Sequence, residues 1–190
     1  MTTLLITGTN KGVGLELTKI YAARGDTVYA ACRNPAEAGE LKAIEGDVNV
    51  IEAVVGDSAS VTAMAAALDG VAIDVVVNNA GRAGASFDQQ TTYAMDFEGW
   101  AETFNVNSMG PVRVMQALLP NLRLGTQAKV VTITSQMGAL SLDMVAAHAY
   151  CASKAAINKF MRMASIDLKK EDIAVGLIHP GWVQTDLGGP

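Results

Sequence analysis

Residues 4–14 read L-L-I-T-G-T-N-K-G-V-G, a short apolar run that breaks at Thr7-Gly8 into a turn with glycines at 8, 12 and 14. An apolar run followed by a glycine-rich turn and a helical pattern is the opening of a βα unit. Bare backbone at Gly8, Gly12 and Gly14 lets a pyrophosphate approach and lets the helix pack closely on the strand. The helix start aims unpaired N–H groups and the positive end of its dipole at that anion. The spacing is not G-x-G-x-x-G. It is not a P-loop either, because Val13 stands where that motif needs glycine before lysine.

Working outward, apolar β-branched runs recur at Leu4–Ile6, Val28–Ala31, Val50–Val55, Ile73–Val77, Val130–Ile133 and Ala174–Ile178. Helix-length segments separate them. Near-continuous apolar strands joined by helices are parallel strands covered on both faces. The predicted fold is α/β: one doubly wound, Rossmann-like domain over 1–190, with a six-stranded parallel sheet in the order 3-2-1-4-5-6. The stretch from Arg82 to Asp96, with its Gly, Ser, Asp and Gln, is expected to be a surface excursion.

At 190 residues, half of them hydrophobic and 17% charged, the chain can bury one full core. Net charge is −5 and no Lys/Arg-rich run stands out, which argues against nucleic acid or an anionic membrane as partner. No signal-like start or run of transmembrane length is visible, and Cys32 and Cys151 lie far apart. A reduced, cytoplasmic protein is the expectation. His148 and His179 form no ligand-spaced cluster, so no metal site is expected.

The second strand ends Ala31-Cys32-Arg33. An NAD site wants a carboxylate near this point for the ribose 2′-hydroxyl, and Cys32 occupies the place. Arg33, joined by Lys11 from the glycine turn, offers a guanidinium and an ammonium to a 2′-phosphate. The expected cofactor is NADP(H); the plainer alternative is two ordinary surface cations.

Tyr150 and Lys154 stand one helical turn apart in Y-C-A-S-K. An ammonium beside a phenol is expected to lower its pKa, making it a proton donor or acceptor for an oxygen. Ile157, Met161, Ala164 and Leu168 continue the line of that pair, while Phe160 and Met163 lie off it. A helix apolar on two sides has one face for the sheet and another for a second subunit. A homodimer or homotetramer through the helices near 100–120 and 150–168 is the expectation. Met137 and Met144, close to Ser135, are expected to line an apolar pocket wall.

Taken in order, T-G-x-x-x-G-x-G at Thr7–Gly14, Asp57, N-N-A-G at Asn78–Gly81, Asn107, Ser135, Tyr150 with Lys154, and Pro180-Gly181 resemble the short-chain dehydrogenase/reductase family. Within it, G-T-N-K-G-V-G and A-C-R resemble NADP-dependent carbonyl reductases and C-factor-like proteins. The resemblance implies that Tyr150 is the general acid/base, Ser135 holds the substrate oxygen, and Lys154 holds the nicotinamide ribose. It also implies that Asn107 anchors a water in a proton relay. Gly8, Asn10, Lys11, Gly12, Val13 and Gly14 would contact the cofactor, with Arg33, Asp57, Asn79, Ala80, Gly81, Tyr150, Lys154, Pro180, Gly181, Val183 and Thr185.

Family members usually continue beyond the point where this sequence stops, Gly188-Gly189-Pro190, with a helical lid and a seventh strand. Those elements are absent from this sequence, which leaves the sixth strand as an expected sheet edge; either the sequence omits a disordered or cleaved tail, or the protein has lost its substrate lid. Two functions follow. One is an oxidoreductase moving a hydride between nicotinamide and a small carbonyl or alcohol substrate. The other is a catalytically weak NADP(H)-binding signalling or redox-sensing protein.

Overall fold

The computed structural model describes residues 1–143 and 146–185. The expected sheet forms: β1 (Thr3–Thr7), β2 (Thr27–Cys32), β3 (Val48–Glu52), β4 (Val75–Asn78), β5 (Lys129–Ile133) and β6 (Ala174–Ile178), all parallel, ordered β3-β2-β1-β4-β5-β6. The third and fourth strands shift most from the sequence reading, while the first, second and fifth only extend by a residue at one or both ends. The third strand starts and ends earlier, because Ala53 already turns away after its N–H bonds the Cys32 carbonyl. The fourth starts at Val75, since the Ile73 N–H is taken by Asn121 on a neighbouring helix.

Alternate side chains of each strand enter opposite cores, as the two-residue period requires. Leu4, Ile6, Val28, Ala30 and Val77 face one cluster, closed by Leu15 of α1 (Gly12–Ala23) and Leu41 of α2 (Gly39–Lys42). Leu5, Val76 and Val130 face the other. That second core is closed by α3 (Ser58–Ala67), α5 (Gly110–Ala117), α6 (Leu119–Leu124) and α7 (His148–Leu168). The 4-3-4 stripe of α7 is buried as expected at Ile157, Met161, Ala164 and Leu168. Phe160, Met163 and Ile166 on its other side are exposed, as are Leu177 and Ile178 on β6.

The helix expected near 100–120 is not continuous. α4 (Phe97–Phe104) passes into a π-helical turn, Asn105–Met109, before α5 begins at Gly110-Pro111. The extra residue in that turn rotates Asn107 and Ser108 inward, where both are buried. Ser108 Oγ donates to the Ser153 carbonyl at 2.8 Å, which fixes the kinked helix against α7. Among the described residues no helix is long and apolar enough to cross a membrane.

Candidate active site

The candidate residues gather at the carboxyl ends of the strands, around the point where β1 and β4 part in opposite directions. Thr7 and Asn79 stitch that point together. Thr7 Oγ1 accepts the N–H groups of Asn79 and Ala80, both at 3.1 Å. The Asn79 amide donates back to the carbonyls of Thr7 at 2.9 Å and Gly8 at 3.1 Å. Asn79 and Ala80 therefore shape the glycine turn directly.

Two glycines of that turn are required by geometry. Gly8 has φ 70° and lies against Ala80, 2.8 Å from its Cα to where a Cβ would stand. At Gly14 a Cβ would come within 2.3 Å of the Gly8 carbonyl and 2.5 Å of the Asn79 amide nitrogen. Only hydrogen lets α1 start this close to the strand. Its first turn carries no acidic residue, so the positive end of α1 faces the turn without a competing carboxylate. The turn is a cradle shaped for an anionic group. Gly12 lies beside Thr185, whose Cγ2 would be 3.3 Å from an added Cβ, so the 180–185 segment returns over the turn. Pro180 and Gly181 are exposed there, with Val183 half-buried and Thr185 Oγ1 donating to the Val183 carbonyl.

The end of β2 hangs on the same turn, because the Ala31 carbonyl accepts the N–H of Gly8 at 2.8 Å and the hydroxyl of Thr9 at 3.1 Å. Cys32 is buried, and burial pushes its thiol pKa up, so it is a small neutral residue. Arg33, the next residue, is exposed at the sheet's edge, as are Asn10 and Lys11 on the turn. These donors fit a phosphorylated ribose, and no carboxylate occupies the position of Cys32 or Arg33 to bind a ribose hydroxyl. Asp57 is exposed at the start of α3, where its Oδ1 accepts the Ala59 N–H at 2.8 Å.

At the end of β5, Ser135 Oγ accepts the Met137 N–H at 3.1 Å, which leaves its own proton available to donate. Gly138 lets this loop lie on α7; a Cβ there would be 2.7 Å from the Lys154 backbone carbon. Thr134 Oγ1 and Asn158 Oδ1 add a bond between the loop and the same helix. The Ser135 hydroxyl is thereby brought near the Tyr150 phenol, where it favours the phenolate.

The phenol's acidity differs from the expectation. Burial raises the Tyr150 pKa above the ordinary value of 10.0, and the nearby Ser135 hydroxyl opposes this only in part. Lys154 does not turn its charge to the hydroxyl. Its Nζ donates to the Ile133 carbonyl at 3.0 Å and sits 5.7 Å from the Tyr150 ring centroid. Only 5% exposed, Lys154 itself is the perturbed group, its pKa pushed down by burial to about 8.

Asn107 is buried beside Gly81, where an added Cβ would be 3.4 Å from Asn107 Oδ1 and 3.9 Å from Lys154 Nζ. Its Oδ1 accepts the Arg82 N–H, and its Nδ2 donates to the Arg82 carbonyl and Ser153 Oγ, at 2.9, 2.9 and 3.0 Å. The side chain is thus a brace between α7 and the chain leaving β4. Among the described residues no group of three His, Cys, Asp or Glu gathers around a common point. Met137 is half-buried beside Ser135, and Met144 lies outside the described residues.

The profile described as short chain dehydrogenase matches residues 2–190. The chain belongs to that family. This short-chain dehydrogenase is 45% identical over 122 residues to C-signal of Myxococcus xanthus, covering 62% of this chain and 70% of that protein. It superposes on an NADPH-bound carbonyl reductase from chicken fatty liver with a TM-score of 0.91 at 29% identity, over 100% of this chain and 83% of the other. A carbonyl reductase from Pseudomonas aeruginosa PAO1 in complex with NADP gives 0.86 and 29%, over 97% and 84%.

Several residues that build this short-chain dehydrogenase site escaped the sequence reading. Ser153 is fully buried and donates to the Tyr150 carbonyl at 2.7 Å. Its signal was there: a serine four residues before Ile157 on an otherwise apolar stripe. Asn105 and Arg113 form a second brace. The Asn105 amide donates to the Gly56 carbonyl at 2.9 Å, while Arg113 reaches Val55, Ser58 and both oxygens of Asn105. No sequence pattern marked that pair, because its partners are distant backbone atoms. Gln90, in the stretch read as a surface excursion, is 1% exposed.

Proposed function

We propose that this family member is an NADP(H)-dependent reductase of small carbonyl compounds, with Tyr150 delivering the proton. The observation that carries this is the approach of the Ser135 and Tyr150 side chains to one another, just past the carboxyl end of β5. The NADP(H)-bound relatives in the same fold support the cofactor. Bound NADPH would supply the hydride.

In this reading Ser135 and Tyr150 both donate to the substrate oxygen and place the carbonyl. A phenol whose pKa burial holds up is protonated at neutral pH, the state that reduction requires. As negative charge develops on the oxygen, Tyr150 transfers its proton there. The tyrosinate left behind is more basic than Lys154, whose pKa near 8 sets the direction of proton flow toward the phenol. The pKa order of the two side chains thus favours reduction over alcohol oxidation, where Tyr150 would have to start as the anion.

The cofactor would be held by Gly8, Asn10, Lys11, Gly12, Val13 and Gly14 at the pyrophosphate, and by Arg33 with Lys11 at the 2′-phosphate. Asp57 would serve the adenine. Asn79, Ala80, Gly81, Lys154, Pro180, Gly181, Val183 and Thr185 would serve the nicotinamide half. Assembly as a homodimer or homotetramer belongs to the same reading, with exposed Phe160, Met163 and Ile166 on α7 as the apolar face.

The test is Tyr150→Phe, assayed by NADPH oxidation against a panel of aldehydes and ketones. Turnover should fall at least about 100-fold, the usual worth of a positioned acid, with NADPH affinity nearly unchanged. Unchanged turnover would refute the role. A wild-type protein that binds NADPH but oxidises it with no carbonyl in the panel would favour the binding or sensing alternative.

A further inference from the structure

The helix that carries Tyr150 has no cap of its own. Ala147, the residue before it, adopts a left-handed conformation with φ 56° and offers no side-chain acceptor. The first N–H groups of any helix lack partners within it. Here two of them are satisfied from the chain between β4 and α4. The Gln90 carbonyl accepts the His148 N–H at 3.1 Å, and Gln90 Oε1 accepts the Tyr150 N–H at 3.2 Å. The other end of the same amide donates to the carbonyls of Ala83, at 3.1 Å, and Ala85.

Gln90 is therefore a buried amide with each of its polar ends engaged, in a stretch where its neighbours Phe87, Asp88 and Gln89 are exposed. The backbone around it is set to hold it. The N–H of Gln90 bonds the Phe87 carbonyl, and the residue bridges to Met95. Gly84, with φ 94°, sits where a Cβ would be 3.1 Å from Gln90 Nε2. Thr92 also meets the start of α7, its hydroxyl 3.3 Å from His148 Nε2.

We infer that Gln90 is a positioning residue for Tyr150: it caps the first turn of α7 and ties that turn to the chain leaving Gly81. The inference rests on the acid role proposed for Tyr150. Tyr150 is the third residue of α7, within the turn where a helix frays first. The backbone that must hold the phenol against Ser135 is thus ordered by a side chain sixty residues earlier in sequence. Because the same amide binds Ala83 and Ala85, the geometry of residues 82–90 and that of the phenol are set together.

The experiment compares Gln90→Met, which keeps the length but removes both polar ends, with Gln90→Glu, which keeps an acceptor for the Tyr150 N–H. Three quantities are read: NADPH-dependent reduction of 4-nitrobenzaldehyde, NADPH affinity, and hydrogen exchange of the amides at 148–151. Gln90→Met should lower kcat about tenfold, the scale set by a small misplacement of a reacting group, and leave NADPH affinity within about twofold. Exchange at Tyr150 should quicken about tenfold, and Gln90→Glu, which keeps the acceptor but gives up the donors to Ala83 and Ala85, should restore most of the protection and only part of kcat. Added to Tyr150→Phe, Gln90→Met should cost no further turnover, since the two act through one group.

Unchanged exchange at Tyr150 would overturn the inference. So would faster exchange with kcat intact, or an equal fall of kcat and NADPH affinity, which would mark general loosening. Should Gln90→Met fail to fold, the Gln90→Glu exchange at Tyr150 decides, and protection lost there counts against the cap. If the wild type reduces no aldehyde, the proposed activity falls, while the exchange comparison still decides whether Gln90 holds this turn.

Discussion

Lys154 Nζ donates to the main-chain carbonyl of Ile133, 3.0 Å away at the last position of β5. A buried ammonium held by one neutral carbonyl costs free energy relative to water, and its pKa of about 8 reports that cost. As pH rises the native protein sheds this proton before the unfolded chain does, whose lysine titrates near 10.5. Between those values the unfolded state binds more protons, so stability increases with pH.

The free energy of urea unfolding should therefore rise from pH 8 to pH 9.5 by about 1.5 kcal/mol more in the wild type than in Lys154→Met. Staying below the tyrosine range keeps Tyr150 out of the comparison. Parallel pH dependences would show that Lys154 is as solvated in the fold as in the open chain.

Cofactor choice should rest on Arg33. NADPH should bind at least about tenfold more tightly than NADH, about 1.4 kcal/mol, and Arg33→Ala should narrow that gap mainly by weakening NADPH. Calorimetric titration with both dinucleotides measures it. Equal affinities in the wild type would dismiss the 2′-phosphate role of the Ala31-Cys32-Arg33 corner.

Gly14→Ala should be far more damaging than Gly25→Ala. The first places a methyl 2.3 Å from the Gly8 carbonyl, so α1 must move off the strand, at about 2–3 kcal/mol for such overpacking. At Gly25 nothing lies within 4 Å and only its φ of 80° resists a side chain, at about 1 kcal/mol. Thermal unfolding of the two variants ranks them. Equal losses would mean that the close approach of α1 to the turn is not a fixed feature of the fold.

The architecture was legible because it depends on local, periodic signals. Six β-branched runs and a glycine turn specify a parallel sheet, and the ends that shifted most, at β3 and β4, are those where a neighbouring carbonyl decides. Of the candidate site, the juxtaposition of Tyr150 and Lys154 was legible, since a four-residue spacing on one helix brings the two side chains together. The site was less so where the outcome depends on distance from water. A lysine four residues from a tyrosine suggests an acidified phenol, but sequence spacing does not say that both are buried or that the charge points at Ile133. Gln90 was hidden for another reason: a polar residue among Gly, Ser and Asp looks solvated until the fold brings the start of α7 against it.

The Asn105–Arg113 brace has a mechanical consequence. It binds the stretch around Asp57, where an adenine would rest, to the same irregular turn that presents Asn107 and Ser108 to the tyrosine helix. The place proposed for the adenine and the place proposed for proton transfer therefore lean on one strut.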